Sequence, residues 1–136
     1  MSIHNTLELA PMSQGFHLIT DKVVDKIGKL PENGLLNLFV KHTSAGITLN
    51  ENADPDVRRD FHRFINDMIP ESYPHFRHTL EGSDDMPAHI KASLLGQSLQ
   101  IPVQNGRLAL GTWQGIYFCE FRKNAGPRSI ILTIIS

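Results

Sequence analysis

A single cysteine, Cys119, is all the thiol that the 136-residue chain carries. One cysteine cannot close an internal disulfide, and without a CxxC pair there is neither a thiolate zinc site nor a redox centre. Charge of one sign is also lacking, since 13 Lys and Arg stand against 14 Asp and Glu for a formal net charge of -1. No whole-chain positive field exists to hold a phosphate backbone or anionic lipid, so neither nucleic acid nor a membrane is an expected partner. Long apolar runs are missing as well. The stretch from Ile130 to Ile135 is strand-sized, and the opening MSIHNTLELAPMSQG has neither the basic start nor the apolar run of a signal peptide. The expected residence is a reducing cytoplasm.

What is present suffices for one packed domain. Hydrophobic residues make up 40% and charged residues 20% of the chain, a balance that supports a core and argues against a disordered linker. One domain over residues 1–136 is expected. Residues 2–9 alternate through Ile3, Leu7 and Leu9, and residues 15–19 repeat the pattern after a Pro11 to Gly15 turn, which predicts a first hairpin. Val23, Val24, Ile27 and Leu30 share a helical face, with Thr20 or Asp21 as N-cap and Pro31 and Gly34 as stops. Leu35 to Val40 reads as a strand buried on both faces that delivers His42 at its exit, and Ile47 and Leu49 begin the return strand. Asp54 caps and Pro55 opens a longer helix whose stripe of Val57, Phe61, Phe64, Ile65 and Met68 ends at Pro70. Its other face carries Arg58, Arg59, His62 and Arg63, interrupted by Asp56, Asp60 and Asp67, and reads as a solvated surface. A short helix closes at Gly96, Asn105-Gly106 marks a hairpin, and strands follow at Leu108 to Leu110, Ile116 to Phe121 and Ser129 to Ile135. This order predicts an α+β domain, a mostly antiparallel sheet with two or three helices.

Seven histidines are more than such a domain needs for structure. His4, His17, His62 and His75 fall on strand, polar-helix or loop patterns and read as structural or solvated. His42, His78 and His89 stand beside clustered polar groups where turns meet regular structure. Three imidazoles can supply the protein ligands of a catalytic divalent site and leave a position open for water or substrate. Asp85, four residues before His89, either orients that ring from the same helical face or caps the helix.

Other polar groups cluster at the same kind of junction. Asn50, Glu51, Asn52 and Asp54 mark the passage from a strand into the long helix, and Asp84 and Asp85 open the short one. Both clusters read either as caps or as a place for a cation and an anionic substrate beside helix N-termini. In Gly111-Thr112-Trp113-Gln114-Gly115 the only Trp is either a platform for a ligand ring, its glycines allowing close approach, or a plug of the core. Arg122, Lys123 and Arg128, around Gly126-Pro127, either bind phosphate or decorate a surface hairpin.

Three blocks together carry a resemblance: HTSAGITLNENADPDV from His42 to Val57, EGSDDMPAHIKASLLG from Glu81 to Gly96, and GRLALGTWQGIYFCEFR from Gly106 to Arg122. The chain resembles the YjbQ family (UPF0047), also called the secondary thiamine-phosphate synthase family, over essentially its whole length, including the GFHLIT start and the GPRSIILTI end. The resemblance implies an α+β fold whose sheet curves into a partial barrel, a homotrimer with polar sites near subunit interfaces, and cytoplasmic residence. It also implies a bound metal and a weak thiamine phosphate synthase activity. The matching positions are His42, Thr43, Ser44, Asn50, Glu51 and Asp54 in the first block. With the second go His78, just ahead of it, and Asp84, Asp85 and His89 within it, and in the third they are Thr112, Trp113 and Gln114.

The leading expectation is a transferase that joins an aminopyrimidine methyl diphosphate to a thiazole phosphate and releases diphosphate. The expected metal ligands are His42, His78 and His89. Zinc is the expected ion as isolated, with magnesium the alternative for a diphosphate substrate. Glu51, Asp84 and Asp85 are the expected catalytic carboxylates. Ser44, Asn50, Asp54, Thr112, Trp113, Gln114 and Arg128 are the expected contacts to a small phosphorylated substrate. The alternatives are a metal-dependent hydrolase of a small phosphorylated or cyclic metabolite and a non-catalytic trimeric metabolite-binding protein.

Overall fold

The computed structural model describes all residues, 1–136. Eight strands and three helices follow one another as β1 (Ser2–Leu9), β2 (Gly15–Leu18), α1 (Thr20–Ile27), β3 (Asn33–Val40), β4 (Ala45–Glu51), α2 (Pro55–Met68), α3 (Asp85–Leu95), β5 (Ser98–Gln104), β6 (Arg107–Leu108), β7 (Gln114–Glu120) and β8 (Arg128–Ile135). They build two antiparallel sheets, one in the order β1-β8-β3-β5-β6 and one in the order β2-β7-β4. The curled sheets form a half-barrel, an α+β domain as the order of elements predicts.

Strand periodicity explains where the two cores lie. On β7, Ile116 and Phe118 turn toward the five-stranded sheet and join Leu36, Leu38, Val40, Ile130 and Leu132 in the larger core. Tyr117, Cys119 and Phe121 turn the other way and pack with Phe16 beneath α2 and α3, against Phe61, Ala88 and Ala92. The strand is therefore apolar on both faces because it separates two cores. Each fully buried Leu or Phe contributes about 1.5–3 kcal/mol relative to exposure. The main layers are thus the five-stranded sheet, the three-stranded sheet, and the α2 and α3 pair. Lys91, almost fully buried, ties α3 to α2 by donating to the Asn66 Oδ1 at 2.5 Å.

Several local expectations need correction. Residues 2–9 and 15–18 do not form a hairpin, because β1 pairs with β8 and β2 with β7 in different sheets. Alternation gave both strands but carries no information on which partner each takes. Neither Thr20 nor Asp21 caps α1 through its side chain; Ile19 holds the cap position, and the Thr20 Oγ1 accepts from the Ile116 N–H instead. The β3 strand is not covered on both faces within this chain. Leu36, Leu38 and Val40 point inward, while Phe39 is 45% exposed on the outside. On α2, the Asp54 Oδ1 accepts from the Asp56 N–H, with Pro55 opening the helix as expected, but Phe64 and Met68 at the far edge of its stripe stay largely exposed. The Asn105-Gly106 turn does join β5 to β6, with positive φ at both residues.

Candidate metal centre and its surroundings

The β3–β4 turn and the start of α3 bring His89 to the Thr43 carbonyl, which accepts from the His89 Nδ1 at 2.9 Å. One helical turn before it, Asp85 is 4% exposed. Its Oδ2 lies 2.7 Å from the His78 Nε2 and 3.0 Å from the His89 Nε2. The donor atoms of His78, Asp85 and His89 all fall within 4.8 Å of one another. Asp85 is buried and His89 half-buried, whereas the His78 side chain is 46% exposed, so the cluster opens to solvent on the His78 side.

Hydrogen-bond logic makes this arrangement suited to a cation. A carbonyl only accepts, so the proton of a neutral His89 sits on Nδ1. Its Nε2 then presents a lone pair to a carboxylate oxygen that also only accepts. That pairing needs either a second proton on the ring or a cation between the two atoms. Two imidazole nitrogens and a carboxylate oxygen form a donor set used by catalytic zinc, with room for a further ligand. The nitrogen share disfavours magnesium, which prefers oxygen ligands.

The carboxylates are held from behind by one guanidinium. Arg122 donates through Nη1 to the Asp85 Oδ1 at 2.6 Å, through Nε to the Asp84 Oδ2 at 2.9 Å, and through Nη2 to the Glu81 carbonyl at 2.8 Å. Burial opposes ionisation of Asp85, but the His78 hydrogen bond and the charge of Arg122, joined by that of His89 whenever its ring is protonated, outweigh it and hold the carboxyl below its ordinary value. Burial likewise opposes ionisation of Asp84, and the Lys123 backbone N–H with Arg122 overcomes it. Asp84 thus anchors the loop and Asp85 faces the histidines, so the two neighbouring aspartates have different tasks.

His42 does not join this cluster within the chain. Its Nε2 accepts from the Ser129 N–H at 2.9 Å, which makes it a tie between the β3 exit and β8. Burial and the nearby Arg128 hold its ring below the usual histidine value. Arg128 is not a free phosphate ligand either. It is 8% exposed and grips the fully buried Glu120 through Nε–Oε1 at 2.7 Å and Nη2–Oε2 at 2.5 Å, while Nη2 also donates to the Ser44 Oγ at 3.0 Å. Ser44 is consumed by the same contact. Glu120 is the residue that sequence reasoning missed, and a carboxylate inside the apolar run Ile116 to Phe121 is the available signal, because a buried charge demands a partner; Arg122, read as a phosphate contact or a surface residue, instead holds Asp84 and Asp85.

The strand-to-helix cluster is a set of caps. The Glu51 carboxylate accepts from the Ala53 and Asp54 N–H groups, the Asn50 Oδ1 from the Glu51 N–H, and Asp54 caps α2. Neither Glu51 nor Asp54 meets the histidines. Trp113 is not a core plug, since it is 65% exposed and lines an open cavity of about 280 Å³ with Asn50, Glu51 and Gln114. The glycines beside it serve the protein: a Cβ on Gly115 would come within 2.7 Å of the Leu18 Cδ2, and Gly111 sits against the Gln114 side chain, whose Oε1 accepts its N–H. Thr112 contributes its carbonyl to the Asn52 Nδ2. The Trp113 cavity and the histidine cluster belong to opposite ends of β4, with Gln114 opposite Glu51 and Glu120 opposite Ala45. Six residues of strand separate those ends, about 20 Å.

Known proteins agree with this fold. The family model described as UPF0047 protein YjbQ-like matches residues 5–136. UPF0047 protein YjbQ of Salmonella typhimurium is 52% identical over 136 residues, 98% of each chain, and its namesake from Escherichia coli O157:H7 is 48% identical over the same share. Among solved structures, a YbjQ-like protein of unknown function from Sulfolobus solfataricus P2 superposes with a TM-score of 0.86 at 28% identity, covering 100% of this chain and 98% of that one. Sequence blocks, half-barrel and whole-length identity lead to one assignment: the chain belongs to the YjbQ-like UPF0047 family.

Proposed function

We propose that the protein is a divalent-metal enzyme acting on a small phosphorylated substrate, with His78, Asp85 and His89 as the metal ligands and zinc as the ion. The observation that carries this reading is the approach of the His89 Nε2 to the Asp85 Oδ2 at 3.0 Å, which with a neutral ring sets lone pair against lone pair and which a shared cation relieves. When bound, the ion supplies positive charge for a departing or attacking oxygen. The chain's own contribution is placement. The Thr43 carbonyl fixes the His89 tautomer, Arg122 keeps Asp85 ionised and immobile, and the exposed His78 leaves an approach for substrate.

The reaction we propose is the transfer of an aminopyrimidine methyl group from diphosphate to the nitrogen of a thiazole phosphate, the thiamine phosphate synthase-like activity that the family resemblance implies. Trp113 serves there as the ring platform. With Trp113 at the far end of β4, one chain cannot offer platform and metal to the same small substrate, and a homotrimer supplies both from neighbouring copies. An uncovered apolar face supports that assembly: Leu35 pairs with Ile135 and Phe39 with Ile131 on the outer side of the five-stranded sheet, Phe39 and Ile135 being 45% and 51% exposed. No helix is long and apolar enough to cross a membrane. The proposed residence is the cytoplasm. A second reading, metal-dependent hydrolysis, is favoured by the two-histidine, one-carboxylate donor set, which serves zinc hydrolases.

Product analysis decides between them. Zinc-loaded protein incubated with both ring substrates is expected to yield coupled product and diphosphate, and Asp85→Asn is expected to yield neither. Release of diphosphate with an uncoupled pyrimidine alcohol supports hydrolysis, and unchanged ligands would remove the enzyme reading. Light scattering at low micromolar concentration is expected to give a trimer mass, and a monomer there would remove the shared-site arrangement.

A further inference from the structure

The basic face of α2 is not one surface. Arg63 turns outward and pairs with Asp67 at 3.2 Å, whereas Arg58, Arg59 and His62 turn toward β2, the edge strand of the three-stranded sheet. Pro55, Arg58, Arg59 and His62 fall at i, i+3, i+4 and i+7, a single helical stripe. Facing them, β2 and the residue before it offer His17, Gly15 and Gln14. The two elements enclose an open cleft of about 270 Å³.

Four cationic or protonatable side chains line this cleft, and no carboxylate does. In a chain whose net charge is -1, that is a local concentration of positive potential. Arg58 is held in place, half-buried, by donating to the Glu51 carbonyl at 3.4 Å and by lying 5.9 Å from the centre of the Tyr117 ring. Arg59 gives one nitrogen to Asp56, which stands outside the cleft. The His17 Nε2 bonds the Ser13 carbonyl at 2.7 Å, so its Nδ1 is the free ring atom. Gly15 carries no side chain over the opening, and a Cβ there would meet nothing within 4 Å.

We propose that the β2–α2 cleft binds the phosphate group of a small phosphate monoester, with Arg58 and His62 as the principal contacts and His17 and Arg59 at the rim. The guanidinium fork suits the tetrahedral oxygens, and the apolar flank of Phe16 and Pro55 lowers the local dielectric and strengthens the attraction. His62 is half-buried in the wall of the cleft. Burial, then Lys91 and His17, hold it below the usual histidine value. The charges acting on it are His17 on β2 and Lys91 on α3, while Arg58 and Arg59 on α2 line the same cleft and only Arg59 is paired, with Asp56, so a dianion in the cleft supplies a counter-charge that its lining does not. The cleft shares no side chain with the His78–Asp85–His89 cluster, and the proposal does not depend on the reaction assigned to that cluster.

The test is calorimetric titration of the full-length protein with inorganic phosphate and with glycerol phosphate, in EDTA and at constant ionic strength, beside chloride as a control. The expected result is one saturable site per chain, weakened at least tenfold in Arg58→Gln and several-fold in His62→Gln, and unchanged in Arg63→Gln. By NMR, the His62 ring is expected to titrate at a higher pH when phosphate is present. Circular dichroism checks each variant's fold, and His62→Gln carries the test if Arg58→Gln does not fold. Three results would each overturn the proposal: binding that does not saturate, binding that Arg63→Gln weakens as much as Arg58→Gln, or binding that appears only when zinc is added.

Discussion

Two carboxylate–arginine units lie on either side of one short segment, and they differ in one physical respect. In the first, Glu120 and Arg128 close on each other and on Ser44, with Glu120 fully buried and Arg128 8% exposed. In the second, Arg122 closes on Asp84 and Asp85 from one side only, and the other side of Asp85 faces two histidines and an opening to solvent. The Glu120 Oε2 also accepts from the Arg122 backbone N–H at 3.1 Å, so the sealed unit positions the open one. A charge pair with every polar atom satisfied inside the protein is scaffold, and one with a face left to solvent is available for chemistry.

Breaking the sealed unit has the largest expected effect. Glu120→Ala leaves a buried guanidinium without its partner and is expected to cost about 3–5 kcal/mol, read from denaturant unfolding. Replacing both members, Glu120→Met with Arg128→Met, is expected to recover most of that loss, because the penalty comes from the stranded charge. If the double variant is as unstable as the single one, the unit is not a simple buried pair.

The open unit responds differently. Arg122→Gln removes three donors to Glu81, Asp84 and Asp85 at the start of α3 while leaving the proposed ligands themselves intact. Zinc affinity is expected to fall about 10–100-fold, with the fold retained, because the ion's ligands lose the partner that orients them. Unaltered affinity in a folded variant would detach Arg122 from the site.

The smallest effect is a pH dependence at His42, the tie beside both units. Its folded value lies below the ordinary 6.5 because of burial and Arg128. Below pH about 6.5 the unfolded chain takes up a proton that the folded ring resists, so this group's contribution to stability is complete above that pH and declines as the pH falls toward the folded value. In His42→Gln that part of the acid loss is expected to vanish, seen as a shallower fall of the unfolding midpoint as the pH drops below about 6.5. An identical fall in both proteins would assign the acid sensitivity elsewhere.

How much was legible in the sequence follows from what each signal encodes. Alternation and helical stripes gave the strands, α2 with its Asp54 cap, and the Asn105-Gly106 hairpin, because those are local. Strand partners were not legible, as the false hairpin of β1 and β2 shows: a period of two places side chains on faces and does not choose neighbours. At the site, the polar surroundings of His78 and His89 point to them and the two rings do lie together, but the third donor atom beside them belongs to Asp85, and His42 lies apart. Of the two readings open for Asp85, the contact to the His89 ring is present at 3.0 Å and the cap is not, while its contact with His78 is not legible, since His78 reaches it across a loop that has no periodicity. Glu51, Asn50 and Asp54 crowd together for capping, and Arg128 looked like a phosphate ligand because its partner Glu120 is eight residues away on the preceding strand.

The central claim is that His78, Asp85 and His89 together hold a divalent ion and that His42 does not. Zinc titration by calorimetry on chelator-treated protein tests it directly, comparing the parent chain with His89→Ala and His42→Gln, each verified as folded by circular dichroism. One zinc per chain in the parent and in His42→Gln, with most binding lost in His89→Ala, is the predicted result. No saturable binding in the parent, or full binding in His89→Ala, would contradict it and return the cluster to a structural role.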